Sequence, residues 1–116
     1  FAAFKSDSTI SVDSLNTDKV ICQPRIFSPA GSVFEFPHTN ILFDLSSSDN
    51  VTARIFNVSG KIKRTLKPDQ KLGPGSNVIV WDGKDFDGSV VPSGLYIVTL
   101  ESSESIFRTT VGVLNR

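Results

Sequence analysis

Three aspartates crowd into a short, polar stretch in the last third of the chain. Asp82, Asp85 and Asp87 lie within six positions and are followed by Gly88. Carboxylates gathered this closely suit Ca²⁺, although the spacing differs from that of an EF-hand loop and no Glu closes it. Asp side chains also cap turns by accepting hydrogen bonds from nearby backbone N–H groups. Turn capping is therefore the favoured interpretation, and a calcium site formed by these aspartates is the alternative.

The residues that could carry out catalysis are isolated from one another. The single histidine, His38, lies in a predicted loop with no nucleophile motif beside it, whereas a general base needs a positioned partner. Paired carboxylates for glycoside hydrolysis must face a cleft, and one turn-rich connection provides none. Cys22 is the only cysteine, so no intrachain disulfide can form, and a buried, unreactive thiol is favoured. The sequence therefore predicts no catalytic residue, no cofactor and no enzyme activity.

Aromatic side chains are the remaining candidates for ligand contacts. Trp81 and Tyr96 lie inside apolar runs, so we expect them in the core together with Phe43 and Phe56. Phe86, between two aspartates, is predicted to be the exposed aromatic. A single exposed ring is a poor platform for a sugar, but it can anchor a protein contact.

Length and charge narrow the class of protein. The chain has 116 residues, with 12 basic and 12 acidic side chains, so it carries no net charge. One domain is expected at this length, and bulk attraction to nucleic acid or anionic lipid is absent. No run of about 18 apolar residues is present to span a bilayer. The chain begins at Phe1 and contains no Met, so we expect it to be part of a longer protein.

The elements that must position these residues read as short strands separated by turns. Residues 1–19 are predicted to be a linker or an edge strand, and residues 20–116 the folded domain. The strand candidates are residues 20–23, 25–27, 33–36 (weakly), 41–45, 51–58, 61–66, 78–81, 95–100 and 106–114. Residues 67–77 carry two prolines and two glycines and are predicted to form a loop. About seven or eight strands without a helical period predict an all-β fold, an antiparallel immunoglobulin-like or fibronectin-III-like β-sandwich without a disulfide.

Two local features refine this prediction. Pro24 lacks an N–H group, so it favours a sheet edge or a crossover between sheets. A basic cluster of Lys61, Lys63, Arg64, Lys67 and Lys71 surrounds the predicted hairpin at residues 57–61. We expect this cluster to be a solvated edge that discourages pairing between sheets of different molecules.

Several motifs together resemble a known bacterial family. They are PRIFSP at residues 24–29, ILFDL at residues 41–45, the hairpin ARIFNVSGKIKRTL at residues 53–66, and WDG at residues 81–83 followed by VPSGLY at residues 91–96. This order of motifs is similar to that of the FlgD-type Ig-like domain, which occurs in the flagellar hook-capping protein and at the C-termini of many secreted bacterial proteins. The resemblance extends from about residue 21 to residue 114.

The resemblance implies a non-catalytic module of a larger secreted or cell-surface bacterial protein. Its role would be that of a spacer, an adhesion or assembly module, or a C-terminal sorting domain of the type IX kind, with partners in the parent protein or the secretion machinery. The residues implied for sorting are those of the closing strand: Thr110, Val111, Gly112, Val113 and Leu114. A carbohydrate-binding module on a polysaccharide-degrading enzyme and a subunit of a flagellar-type surface assembly remain alternatives.

Overall fold

The computed structural model describes residues 20–30, 36–103 and 105–115, and these residues form eight strands and no helix. The strands are β1 (Val20–Gln23), β2 (Ile26–Phe27), β3 (Thr39–Leu45), β4 (Asp49–Asn57), β5 (Ile62–Leu72), β6 (Gly75–Trp81), β7 (Gly94–Glu101) and β8 (Ile106–Val113). The predicted all-β class and strand number are confirmed. Residues 1–19 and 33–35, predicted as an edge strand or linker and as part of a weak strand, lie outside the described residues.

The strands form two sheets that pack face to face. The smaller sheet has the order β1-β3-β6 and the larger sheet has the order β2-β8-β7-β4-β5. All neighbouring strands pair antiparallel except β2 and β8, which run parallel. The sandwich prediction is therefore confirmed, with one parallel pair that the short strands did not reveal.

The chain changes sheets at Pro24. β1 is an edge strand of the smaller sheet, and β2, two residues further on, is an edge strand of the larger sheet. The hydroxyl of Thr39, which is fully buried, donates a hydrogen bond to the Pro24 carbonyl at 2.7 Å and holds the crossing in place. Because proline cannot donate to a ladder, its position between two edge strands leaves no pairing unsatisfied.

Aromatic rings fill the space between the sheets. Trp81 has no exposed surface and contacts Phe27 and Tyr96 edge-on, with ring centroids 5.5 and 5.7 Å away. Alternating residues on β4, β7 and β8 surround this group, since every second side chain of a strand faces the same side. The result is one continuous apolar core shared by both sheets.

Phe56 lies outside this core, and its predicted place between the sheets is wrong. Its neighbour Ile55 is fully buried, whereas Phe56 is only partly buried. Successive side chains on a strand point to opposite faces, so Ile55 takes the inner position and Phe56 the outer face of the larger sheet. Phe27 provides a core ring instead, while Phe43 is buried as predicted.

The predicted loop at residues 67–77 is also wrong. β5 continues to Leu72 and β6 already begins at Gly75. Pro68 is tolerated because β5 is the last strand of its sheet among the described residues, with β4 as its neighbour. Lys67 and Asp69, with φ values of 44° and 50°, form a bulge around it, and the register against β4 shifts between Val51 and Ala53. The amide of Asp69 donates to the Thr52 hydroxyl at 2.8 Å.

Candidate functional site

The connection between β6 and β7 is fixed to the sandwich by its first residues. The Trp81 indole N–H donates to the Lys84 carbonyl at 3.1 Å. Gly83 has a φ of 78°, and a Cβ at this position would lie 2.2 Å from Cγ of Pro29. Its carbonyl accepts a hydrogen bond from Val91 N at 2.9 Å, and Val91 is buried. The WDG motif therefore closes one end of the core.

The three candidate calcium ligands are not arranged as a metal site. Asp82 accepts hydrogen bonds from the Lys84 amide at 3.1 Å and from the Arg64 guanidinium at 3.2 Å. Asp85 accepts from the amides of Asp87 at 2.9 Å and Ser89 at 3.1 Å. Among the described residues, no group of three or more His, Cys, Asp or Glu side chains could hold a metal ion. Calcium binding by Asp82, Asp85 and Asp87 stays a prediction that no geometry here supports.

Phe86 lies at the tip of this connection with 61% of its surface exposed. Its amide donates to the Lys63 carbonyl at 3.0 Å, which joins the tip to the edge strand β5. Phe36, which lies in no strand, is 55% exposed, so Phe86 is not the one exposed aromatic. The structure therefore presents Phe86 on a braced turn, where it is available for a contact.

The closing strand β8 divides its side chains between the core and the surface. Val111 and Val113 are buried and pack in the core, whereas Thr110 and Gly112 alternate with them on the outer face. Leu114, just beyond the strand, is 42% exposed. The five residues predicted as a sorting strand thus lie together, but only those that face outward can contact another molecule while the domain is folded.

A row of apolar residues crosses three strands on this outer face. Ile26 of β2 and Leu95 of β7 both lie opposite Gly112 of β8, and each is 51% exposed. Since Gly112 has no side chain, the row is interrupted by a shallow apolar groove of about 280 Å³ that Leu114 also lines. We call Ile26, Leu95, Gly112 and Leu114 the terminal-strand surface. Ile26 and Leu95 were not predicted as site residues, although the alternation of Leu95 with the buried Tyr96 signals its exposure.

Asn115 connects this surface to the rest of the domain. Its amide N–H donates to the Ser93 hydroxyl at 2.7 Å, and its side-chain nitrogen donates to the Val91 carbonyl at 2.8 Å. Its side-chain oxygen accepts from the Ala30 amide at 3.2 Å. The chain following β8 is therefore attached both to the β6–β7 connection and to the segment after β2.

The remaining reactive groups are buried or solitary. Cys22 is buried as predicted, and burial raises the pKa of its thiol to about 11, an effect that outweighs the opposing influences of Arg25 and the Thr39 hydroxyl. His38 is exposed. Within residues 20–30, 36–103 and 105–115, no helix has the length and apolar character needed to cross a bilayer.

The fold and its core define the class of this protein. The domain consists of two packed sheets. The Tyr96 hydroxyl donates a hydrogen bond at 2.7 Å to the carbonyl of Pro92, four residues upstream. Both features are typical of an immunoglobulin-like β-sandwich. The family model of the FlgD Ig-like domain matches residues 37–105. The chain belongs to this family. The match begins after the PRIFSP motif and ends before β8, so the terminal-strand surface lies mostly outside it.

Two curated relatives match part of the chain. The basal-body rod modification protein FlgD of Salmonella typhimurium (strain LT2) and that of Salmonella typhi are each 39% identical to it over 56 residues. The aligned part covers 48% of this chain and 24% of each relative. The chain thus corresponds to about a quarter of the length of these proteins.

Two solved structures share the fold. PorZ of Porphyromonas gingivalis, described as an essential bacterial surface component of the type-IX secretion system, superposes with a TM-score of 0.59 and 18% identity, covering 90% of this chain and 13% of PorZ. FlgD from P. aeruginosa superposes with a TM-score of 0.53 and 22% identity, covering 65% of this chain and 57% of that protein.

Proposed function

We propose that this chain is a non-catalytic Ig-like assembly module of a larger secreted or cell-surface bacterial protein, and that it acts by presenting contact surfaces. The observation that carries this proposal is the terminal-strand surface, where Ile26, Leu95 and Leu114 remain substantially exposed around a groove. Exposed apolar clusters rimmed by polar residues are typical of protein contacts. The rigid sandwich beneath them keeps their spacing constant.

The chemistry of the polar side chains supports a role without catalysis. Asp82 and Asp85 are engaged with backbone amides, and His38 is exposed in a loop. Burial raises the pKa of the Cys22 thiol from 9.0 to about 11, so this thiol is further from forming a thiolate nucleophile than an ordinary cysteine. A nucleophile, a general base and an oxyanion-binding group converging on one pocket are what acyl or glycosyl transfer requires. The described residues offer no such convergence.

Within this role we favour a C-terminal sorting domain whose recognition surface is the terminal-strand surface. The likeness to PorZ, a surface component of a type-IX secretion system, supports this choice at the level of the fold. Of the five sorting residues predicted, Gly112 and Leu114 belong to the terminal-strand surface and would contact the machinery, whereas Thr110 lies on the same outer face but outside this surface. Val111 and Val113 would act indirectly, because they hold β8 in the core.

The experiment must separate recognition from folding. Deleting residues 111–116 would remove two core valines and unfold the domain, so export would fail for either reason. The substitution Leu114→Ser in the full-length parent protein keeps the core and changes only the proposed surface. Val78→Ser is a matched control, because Val78 is 54% exposed on the outer face of the other sheet. Surface-exposed and intracellular protein are then compared by immunoblotting.

We expect Leu114→Ser to reduce the amount of exported protein severalfold, with Val78→Ser close to the unmodified protein and both thermal midpoints nearly unchanged. Normal export of Leu114→Ser would contradict the sorting role. An equal loss with Val78→Ser would show that recognition does not depend on the terminal-strand surface.

The flagellar-type assembly alternative has its own support. The curated relatives are basal-body rod modification proteins, and a module of this kind would contact subunits of a surface structure. In that case Leu114→Ser would leave export unchanged and reduce assembly of the structure.

The carbohydrate-binding alternative is less favoured, because Trp81 and Tyr96 are buried and cannot stack on a sugar. Retention of the chain on an insoluble glycan would support the carbohydrate-binding alternative.

A further inference from the structure

The edge of the larger sheet is only partly covered at β8. β2 contains two residues and pairs with β8 only at Gly112 and Val113. Residues 106–111 of β8 pair with β7 on one side and have no strand on the other among the described residues. The cause is the sheet change at Pro24: the residues before it belong to β1 of the smaller sheet, and the chain joins the larger sheet beside β8 only at β2.

The uncovered part of β8 presents backbone groups in the geometry of a ladder. The amides of Gly112 and Leu114 donate to the carbonyls of Arg25 and Phe27 at 2.8 and 3.0 Å, so even-numbered residues of β8 direct their backbone groups toward this edge. By the two-residue period of a strand, Arg108 and Thr110 direct theirs the same way. Such an edge is a template on which another extended segment can pair.

A groove of about 610 Å³ runs beside this edge, between β8 and β1. Its lining combines apolar side chains with a threonine and two arginines. The lining residues used in the argument are Val20, Ile21, Ile97, Thr110, Arg25 and Arg108. Among the described residues that line the groove none is acidic, and neither arginine forms an ion pair with a described residue. The groove is therefore apolar along its walls and positively charged.

We propose that this groove binds an extended acidic peptide segment, with apolar residues alternating with carboxylates, which adds as a strand to the free edge of β8. Backbone hydrogen bonds to Arg108 and Thr110 would supply the pairing. The apolar side chains of the peptide would contact Ile21 of β1, and its carboxylates, on the opposite face of the peptide strand, would lie on the side of Arg108. The carboxylates would contact the guanidinium groups of Arg25 and Arg108. The inference rests on the proposed function as an assembly module and gives the chemistry of one partner, at a site separate from the terminal-strand surface.

The test uses the 116-residue chain and a fluorescein-labelled peptide, Thr-Val-Glu-Val-Glu-Val-Thr. Binding is measured by fluorescence anisotropy, and amide hydrogen exchange locates the site. We expect saturable binding, with slower exchange at the amides of Arg108 and Thr110. Replacing both glutamates of the peptide by lysine should reverse the charge complementarity and weaken binding roughly tenfold or more.

Two further controls separate strand addition from simple charge attraction. Two N-methylated peptides are compared, one methylated at the odd-numbered amides and the other at the even-numbered amides. The peptide whose methylated amides face β8 should lose binding, and the peptide whose methylated amides point away from β8 should keep most of it. The variant Arg108→Glu should weaken binding roughly tenfold. Lys84→Glu is its matched control, because Lys84 is an exposed cation outside the groove, and this change should have little effect.

Equal binding of the lysine peptide, equal effects of the two N-methylated peptides, or protection at a different sheet edge would each overturn the proposal. So would absence of binding. Protection of Arg108 and Thr110 that rises with protein concentration in the absence of peptide would also overturn it, because the occupant would then be a second copy of the chain. None of these outcomes alters the export experiment on Leu114→Ser, so the two proposals can fail independently.

Discussion

Gly83 is the position at which a single added methyl group should be most damaging to the β6–β7 connection. Its φ of 78° is unfavourable for a residue with a side chain, and a Cβ built there would lie 2.2 Å from Cγ and 2.5 Å from Cβ of Pro29. Gly88, five residues later, has a φ of 81° and no atom within 4 Å of the same hypothetical Cβ. The two glycines therefore differ in steric crowding and hardly at all in φ.

The expected magnitudes follow from this comparison. Placing alanine in the left-handed region costs about 1–2 kcal/mol, which is the whole effect expected for Gly88→Ala. Gly83→Ala carries the same penalty plus overpacking against a rigid proline ring, worth about 1–3 kcal/mol more. Its total loss of unfolding free energy is then about 2–5 kcal/mol, measured by urea denaturation. In a domain of this size, each kcal/mol lowers the thermal midpoint by about 4–8 °C.

A double-mutant cycle with Pro29→Gly isolates the contact. The effect of Gly83→Ala should shrink by about 1–3 kcal/mol in the Pro29→Gly background, because both crowding carbons of the proline are absent. The reasoning is refuted if Gly83→Ala and Gly88→Ala destabilise the protein equally. It is refuted as well if the Pro29→Gly background leaves the effect of Gly83→Ala unchanged.

Three further predictions concern the core and the aspartates. Tyr96→Phe removes the hydrogen bond to the Pro92 carbonyl and should lower the unfolding free energy by about 1 kcal/mol, and an unchanged urea midpoint would contradict this. Since burial raises the pKa of the Cys22 thiol from 9.0 to about 11, the folded protein holds a proton that the unfolded chain loses. The unfolding free energy, which has its full value below pH 9, should therefore fall by about 1.4 kcal/mol per pH unit between pH 9 and 11 in comparison with the Cys22→Ala variant. If the unfolding free energies of the two proteins change in parallel with pH, this reasoning is refuted. Excess chelator should leave the thermal midpoint unchanged, because Asp82 and Asp85 already accept backbone hydrogen bonds, whereas a calcium-dependent rise would establish the alternative.

The sequence predicted the fold well because most strands carry a clear two-residue alternation. In β7, for example, Tyr96, Val98 and Leu100 are buried as their spacing indicates. Turn signals such as Asp87-Gly88 and Pro92-Ser93-Gly94 mark the ends of strands by local chemistry alone. Prediction succeeded wherever the information lies within a few neighbouring residues.

The errors arose where the answer depends on distant parts of the chain. Pro68 stays within β5 because, in the part of the chain that the structure describes, β5 pairs with β4 on one side and with no strand on the other. Phe56 lies outside the core because Ile55 occupies the inner position of β4, and an apolar run on its own does not reveal which residue faces inward. The terminal-strand surface forms because Ile26 and Leu95 both lie opposite Gly112. These three residues belong to three different strands, and which strands are neighbours depends on the order of strands in the sheet.

The two edges of the larger sheet differ in their capacity to pair with a further strand. On one side, β5 carries Pro68, a bulge and most of the basic cluster, and we expect these features to disfavour pairing with a further strand. On the other side, β8 keeps an uninterrupted stretch open. A peptide that pairs there would extend the row that β2 begins beside β8, at the opposite side of the sheet from β5. We therefore expect strand addition at β8 and none at β5, an asymmetry that limits growth of the sheet into fibrils.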